Sequence, residues 1–379
     1  MNTPKNDLPI TLSIGIMAWN EEAAIGPMLA SLFEQSIFSQ LVARNEGCEV
    51  FCLANGCTDR TAEVAGDIFA RMEREHPFRR GLSARVADIP ESGKSNTWNR
   101  FVHEFSAREA RYICLMDADI ILNKPDTLEL ILGELERNPH LGGASDFPRK
   151  NIAGKARLSL RDRLSLAGSD MNDTVKGRLN GMLYCLRAGI ARNLYLPRNL
   201  VAIDDGFLKA AICTNFFREP SDPSRIASVR GATHLYEPYL SLRDFMNNQK
   251  RQMIGQTTAY VTIEHLKNLP ESDRANLGAT LRRMEAADPD WLKRLIEAHV
   301  ARTRFFWRLF PGILSFRWRR LAKMRGSQRL THFPAAAAGF LVTLIACWRA
   351  LRFLRRGVST FWPKTERHAI LPATCAVPK

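Results

Sequence analysis

The first apolar run, Leu12 to Trp19, is nearly continuous and stops at the polar Asn20-Glu21-Glu22. Behind it, Glu21 to Ser36 sets Ala24, Ile25, Met28, Leu29, Leu32 and Phe33 at i, i+3, i+4 spacing, the stripe of a helix that covers a sheet. The exchange repeats. Glu49 to Ala54 is a second strand, Asn55-Gly56 a turn, and Thr58 to Met72 a helix with Val64, Ala65, Ile68, Phe69 and Met72 inward. Ser83 to Ile89 is a third strand and Ser95 to Ser106 a third helix. Tyr112 to Met116 is a fourth strand, apolar at every position, which suits a strand buried on both faces. This β-α-β-α rhythm predicts an α/β fold with a mostly parallel sheet, right-handed crossovers and helices on its faces. No GxGxxG opens any of the helices, so the dinucleotide-binding version is unsupported.

The pattern loosens after Leu141. A helix is expected over Ala156 to Asp170, a strand over Gly181 to Arg187 and a helix from Asp205 to Cys213. Strands at Ile226 to Val229 and Thr233 to Tyr236 precede a long helix from Leu242 and a charged helical pair over Leu266 to Val300. Arg302 to Arg329 interleaves Phe305, Phe306, Trp307, Phe310, Phe316 and Trp318 with arginines, as in a helix lying among lipid headgroups. Phe333 to Trp348 then runs 16 residues without a charge, short of the ~20 apolar residues of a span. The expected division is a catalytic domain over 8–265, a helical connector over 266–300, and basic, aromatic, membrane-associated helices over 301–379.

Charge sharpens the picture of that tail. The 379-residue chain carries a formal +15, yet Ala301 to Arg367 holds 15 Lys and Arg against the single acid Glu366, so +14 resides there. A negatively charged partner should meet the tail rather than the body. Attachment to the anionic cytoplasmic face of the inner membrane, peripheral or re-entrant, is the first expectation, a single span the second and a buried core helix the third. The eight cysteines form no Cys-X-X-Cys pair, which suits a reduced compartment. Leu8 to Trp19 has acidic flanks and no small-residue cleavage site, so it is expected to be a strand and not a signal peptide.

Candidate chemistry begins at Asp117-Ala118-Asp119. Ligands of open α/β sheets bind beyond the carboxyl ends of the strands. Two carboxylates at such an edge can share Mg²⁺ or Mn²⁺, with bound phosphates completing the shell; solvated acids at an ordinary strand-to-turn junction are the alternative. Glu22 and Asn55 stand at the first two strand ends, where a base and ribose could be held, although Asn55-Gly56 is also a plain turn dipeptide. Lys94 could reach a phosphate as a point charge or simply open a helix. Asp205 is, on its own, a helix N-cap.

Taken in order, these motifs resemble the family 2 inverting glycosyltransferases with a GT-A fold. Ala18-Trp19-Asn20-Glu21-Glu22, Ala54-Asn55-Gly56-Cys57-Thr58-Asp59-Arg60-Thr61, Gly93-Lys94-Ser95 with Asn99, Asp117-Ala118-Asp119, Asn180-Gly181 with Arg187, and Asp204-Asp205-Gly206-Phe207-Leu208 carry the resemblance over Ser13 to Gly255. It implies a nucleotide-diphospho-sugar donor, a UDP-sugar foremost, and a metal held by Asp119 with Asp117. Glu22, Asn55, Lys94 and Arg251 would serve the donor; Gly181, Arg187 and Asp204 the acceptor side; Asp205 would be the general base. The chain departs from the family at Ala54, where an acid is usual, at Asp204, where Glu is usual, and at Asn248-Gln249-Lys250-Arg251-Gln252, which keeps only the arginine of Gln-X-X-Arg-Trp. That last departure implies a non-processive enzyme. A lipid-linked or membrane-presented acceptor in exopolysaccharide or glycolipid assembly is the implied setting, with no nucleic-acid partner. A nucleotidyltransferase acting on a sugar phosphate and a basic nucleic-acid-binding module are the competing classes. His234 is expected to be structural rather than an added metal ligand.

Overall fold

The computed structural model describes residues 8–151, 177–200, 204–237, 242–303, 309, 312–322, 324 and 326–357. Eight strands form one sheet: β1 (Ile10–Ala18), β2 (Gly47–Asn55), β3 (Leu82–Ile89), β4 (Tyr112–Asp117), β5 (Ile120–Ile121), β6 (Gly143–Lys150), β7 (Leu183–Arg187) and β8 (Ile226–Tyr236), in the order β3-β2-β1-β4-β7-β6-β8-β5. In chain order the helices are α1 (Glu22–Phe33), α2 (Ile37–Ala43), α3 (Thr61–Glu75), α4 (Lys94–Arg100), α5 (Thr127–Arg137), α6 (Ala188–Arg192), α7 (Asp204–Cys213), α8 (Leu242–Lys267), α9 (Glu271–Ala275), α10 (Leu277–Ala287), α11 (Trp291–Arg302), α12 (Ile313–Ala322) and α13 (Gly326–Leu354).

Period-two alternation divides the core. Leu12, Ile14 and Ile16 of β1, Val50 and Cys52 of β2 and Cys114 and Met116 of β4 pack with α1, α2, α3 and α5 on one face. Met17, Phe51, Leu53, Ile113 and Leu115 point to the other face. There they meet α4, α7, α8 and the C-terminal helices through to Leu354. The boundaries expected at 265 and 300 therefore mark changes in sequence character, not separate cores. Gly15 permits the closest approach on this face, since a Cβ there would stand 2.6 Å from the Phe101 ring.

The four N-terminal strands are parallel, and their register aligns their carboxyl ends: Met17 pairs Asp117, Ala18 pairs Ala54 and Asn55 pairs Ile89. The order reverses between β1 and β4, the switch point at which a ligand crevice opens. The sheet is mixed, because β7 runs antiparallel to both β4 and β6. This reversal puts Gly181, just before β7, at the crevice, while Arg187 pairs Tyr112 at the opposite edge.

Several expectations are corrected. The two strands proposed for 226–236 are one strand, whose register against β6 shifts between Ser145 and Phe147. The helical pair over 266–300 is three helices, α9 to α11. The helix from Ser95 stops at Arg100 and continues as a π-helical turn, Phe101–Phe105. The helices α2 and α5 and the strand β6 were not anticipated. The helix expected over Ala156 to Asp170, and Phe305, Phe306, Trp307 and Phe310 of the aromatic tail, lie outside the described residues.

Candidate active site

Lys94 is placed by the turn before it. Gly93 adopts φ +146°, in the region that favours glycine, and its N–H donates to Asn55 Oδ1 at 2.9 Å. The following residue opens α4 with its side chain directed at the end of β4. Lys94 Nζ lies 3.1 Å from Asp117 Oδ1 and 3.4 Å from Asp204 Oδ2. Burial works against the Lys94 charge, but the Asp117 and Asp204 carboxylates outweigh it and hold the ammonium protonated beyond its usual range. Burial raises the Asp117 carboxyl; Lys94 pulls it down, and Asp119 pushes it up again.

The facing wall of the crevice is built by the start of α7. Asp204 is 8% exposed, and its Oδ2 has no hydrogen-bond donor beyond the ionic contact with Lys94. Asp205 Oδ1 accepts from the Gly206 N–H at 2.8 Å. Burial, and then the neighbouring Asp204 charge, push the Asp205 carboxyl up to about 6. Gly181 leaves room for it: a Cβ there would lie 3.2 Å from Asp205 Cβ and 3.3 Å from its Oδ2. Beneath the cluster, Trp98 Nε1 donates to Tyr184 Oη at 3.0 Å, both side chains being fully buried.

The loops after β1 and β2 are laced together. Asn20 Oδ1 accepts from Thr58 N at 2.7 Å, Thr61 Oγ1 from Glu21 N at 2.8 Å, and Glu22 Oε2 from Arg60 N at 3.2 Å. Glu22 is more exposed than the Lys94 cluster and lies at the rim of the crevice.

Of the residues singled out in the sequence, Lys94, Asp117, Asp204, Asp205 and Gly181 come together directly. Asp119 acts on Asp117 through its charge, and Arg251 of α8 acts on Lys94. Asn55 reaches the site through the Gly93 turn, and Glu22 through its loop. Arg187 does not belong to it. Its guanidinium donates to the carbonyls of Leu141 (2.7 Å), Leu135 (2.6 Å) and Asn138 (3.2 Å), so it ties the end of α5 at the far edge of the sheet. His234 is wholly buried with Nδ1 2.6 Å from Asp146 Oδ2, whose other oxygen accepts from Asn180 Nδ2 at 3.0 Å. This network supports the turn before Gly181. Arg178, whose charge is felt at Asp205, was missed, as were Tyr184 and Trp98. Nothing local in the sequence marks them, since each resembles an ordinary core or loop residue.

Among the described residues, no group of three or more His, Cys, Asp and Glu stands ready to hold a metal unaided. A cation bound by one or two carboxylates and completed by substrate phosphates needs no such cage. The donor set at the end of β4, two oxygen acids beside a buried and under-donated Asp204 oxygen, fits a hard divalent ion of that kind.

Structural likenesses are distant. Glucosyl-3-phosphoglycerate synthase from Mycobacterium tuberculosis, solved with Mn²⁺, UDP-glucose and phosphoglyceric acid, is 19% identical over 69% of this chain and 82% of its own, with a TM-score of 0.41. TarS 1-349 of S. aureus is 14% identical over 92% of this chain and 90% of its own, with a TM-score of 0.42. No curated protein matches the chain. Residues 13–195 match the model of glycosyl transferase family 2, a stretch that contains every site residue up to Gly181 and stops short of Asp204, Asp205 and Arg251. With the ordered motifs of β1 to β4 inside that match and their side chains converging on one crevice, residues 13–195 form a glycosyl transferase family 2 domain, and the chain is a glycosyltransferase.

Proposed function

We propose that the chain transfers a sugar from a nucleotide-diphosphate donor, a UDP-sugar foremost, to a hydroxyl of a membrane-presented acceptor, with inversion and one sugar per encounter. The observation that carries this reading is the convergence of Asp117, Asp204 and Asp205 about Lys94. Glu22 and Asn55 would serve the nucleoside, and Lys94 and Arg251 the diphosphate. Asp117 and Asp119 would hold Mg²⁺ or Mn²⁺, which when bound neutralises the departing diphosphate. The Asp205 carboxylate takes the proton of the acceptor hydroxyl as its oxygen bonds to the anomeric carbon. The bond from that carbon to the diphosphate breaks, and the nucleotide leaves with the electron pair. Asp204 keeps Asp205 from being drawn to Lys94 by engaging the ammonium itself.

The membrane setting rests on the C-terminal helices. Residues His332–Leu354 are long and apolar enough to cross a membrane by length and composition, with a mean hydropathy of 1.6. Yet Ala346, Cys347, Ala350, Leu351 and Leu354 are buried in the enzyme core. A helix with one face in the protein and another exposing Phe333, Leu341, Ile345 and Trp348 suits an interfacial position better than a lone span.

The test is nucleotide release from a panel of UDP-, GDP- and TDP-sugars with Mn²⁺ and membrane extract. Release with one donor, lost in Asp119→Ala and on adding EDTA, is expected. Silence across the panel, or undiminished turnover by Asp119→Ala, would overturn the reading.

A further inference from the structure

The strongest unassigned feature lies between α8 and α13. A cleft of about 270 Å³ is lined by Lys250, Trp348, Arg349, Arg352, Phe353 and Arg356, four cations and two aromatic rings with no acid among them. Lys250 Nζ sits 5.3 Å from the centre of the Phe353 ring, and Arg352 stacks on Trp348 at 3.8 Å. Arg349 is fixed by its hydrogen bond to Asn247 Oδ1 at 2.9 Å. Burial, and then the Arg349 charge, depress Lys250. The Arg352 guanidinium over the Trp348 ring presents a fork of N–H donors suited to a phosphate's oxygens.

The approach to the cleft is apolar. Leu341, Ile345 and Trp348 follow one another at helical spacing and are 60%, 50% and 50% exposed, and the stripe ends on Arg352. We infer that this cleft receives the phosphate headgroup of an anionic membrane phospholipid, with the acyl chains lying along the Leu341–Ile345–Trp348 stripe. A phosphate joined to an apolar body matches both halves of the surface, and Trp sits at membrane interfaces for the same reason. The inference rests on the membrane-surface reading and not on the transfer chemistry. It adds a consequence for the site: Lys250 lines the cleft and Arg251, the next residue on α8, acts on Lys94. A headgroup bound here holds the crevice of the enzyme close to the lipid surface.

The test is flotation of the full chain with phosphatidylcholine vesicles, with and without phosphatidic acid. The variants are Arg349→Gln/Arg352→Gln and the charge-matched control Arg71→Gln/Arg74→Gln on α3. Wild type and control should float with the anionic vesicles, and the cleft variant should bind about 30-fold more weakly, with nucleotide release in solution unchanged in all three. Equal flotation of the cleft variant and wild type would overturn the cleft and leave the membrane reading intact. Failure of wild type on both vesicles would overturn the membrane reading and the lipid ligand with it. Calorimetric binding of inorganic phosphate to wild type, lost in the cleft variant and unaccompanied by flotation, would make the ligand a free phosphate and overturn the lipid source.

Discussion

Lys94 and Asp204 face one another at 3.4 Å across the crevice, one from the helix after β3 and the other from the first turn of α7. The contact joins the part of the chain matched by the family model to the part beyond it. Because the same ammonium touches Asp117, removing it leaves two carboxylates in a half-buried site without their cation. Lys94→Met keeps the stem and deletes the charge. It should lower kcat by about 10²-fold, the worth of one preorganised charge partner at a leaving group. Its stability cost should be only about 1 kcal/mol, because the groups retain partial access to water. Steady-state kinetics and urea denaturation of the variant check both figures.

The base role proposed for Asp205 predicts an acid limb in the pH profile. A general base works only when ionised, so with its carboxyl raised to about 6, kcat/KM should fall as pH drops through about 6. The stability effect has the opposite sense. The folded state holds the proton more tightly than the unfolded chain, whose carboxyl titrates near 3.8, so stability declines as pH rises from about 4 to about 6. Asp205→Asn should lose about 10²- to 10⁴-fold in kcat, retain donor affinity and flatten that part of the stability profile. A variant with the same acid limb as wild type would remove Asp205 from the base position.

Gly181 tests the proposed acceptor side without touching a charge. Its backbone does not need glycine's left-handed freedom, so Gly181→Ala should fold, with the new methyl 3.2–3.3 Å from Asp205. The carboxylate must give way by a few tenths of an ångström. An expected loss of about tenfold in kcat at unchanged donor KM follows, since small displacements of a reacting group are costly. An equal change in donor KM would mean that the methyl disturbs the nucleotide side instead.

The strands β1, β2 and β4 and the Asp pair were legible because each of these strands is a largely apolar run ending on polar residues at the same sheet edge. β7 was legible as a strand but not in its direction, since Leu183-Tyr184-Cys185-Leu186 is buried on both faces whichever way it runs. The reversed direction is what misled the reading of Arg187: four residues, Leu183 to Leu186, follow Gly181-Met182 in register against β4 and carry the arginine away from the crevice. β6 was missed because Gly143-Ala144-Ser145-Asp146 has no apolar run, its burial coming from neighbours on both sides. Arg178 and Tyr184 enter the site only through tertiary proximity, which no local pattern encodes.

Arg187 therefore predicts a purely structural phenotype. Its three donated hydrogen bonds satisfy carbonyls at and beyond the end of α5, and charged donors of this kind contribute about 1.5–3 kcal/mol each way of counting. Arg187→Gln should reduce stability by about 2 kcal/mol and leave donor and acceptor KM unchanged. A selective rise in acceptor KM with no loss of stability would return Arg187 to the acceptor side.

The C-terminal helix makes the last distinction. If α13 were only an anchor, deleting residues 326–379 would release an intact soluble enzyme. Its last turns instead bury Ala346, Cys347, Ala350, Leu351 and Leu354 in the cluster that also holds Met253, Ile254 and Phe207. Burial of Leu351 and Leu354 alone is worth about 1.5–3 kcal/mol each, a large share of the ~5–15 kcal/mol that holds a domain folded. The truncated chain should show a lowered Tm and exposed apolar surface by dye binding, and it should lose nucleotide release, because α8 carries Arg251. Substituting Leu341→Ser and Ile345→Ser on the exposed face should preserve Tm and release while weakening vesicle association. A soluble truncation with an unchanged Tm would show that α13 adds nothing to the core, and would leave the anchor as its whole role.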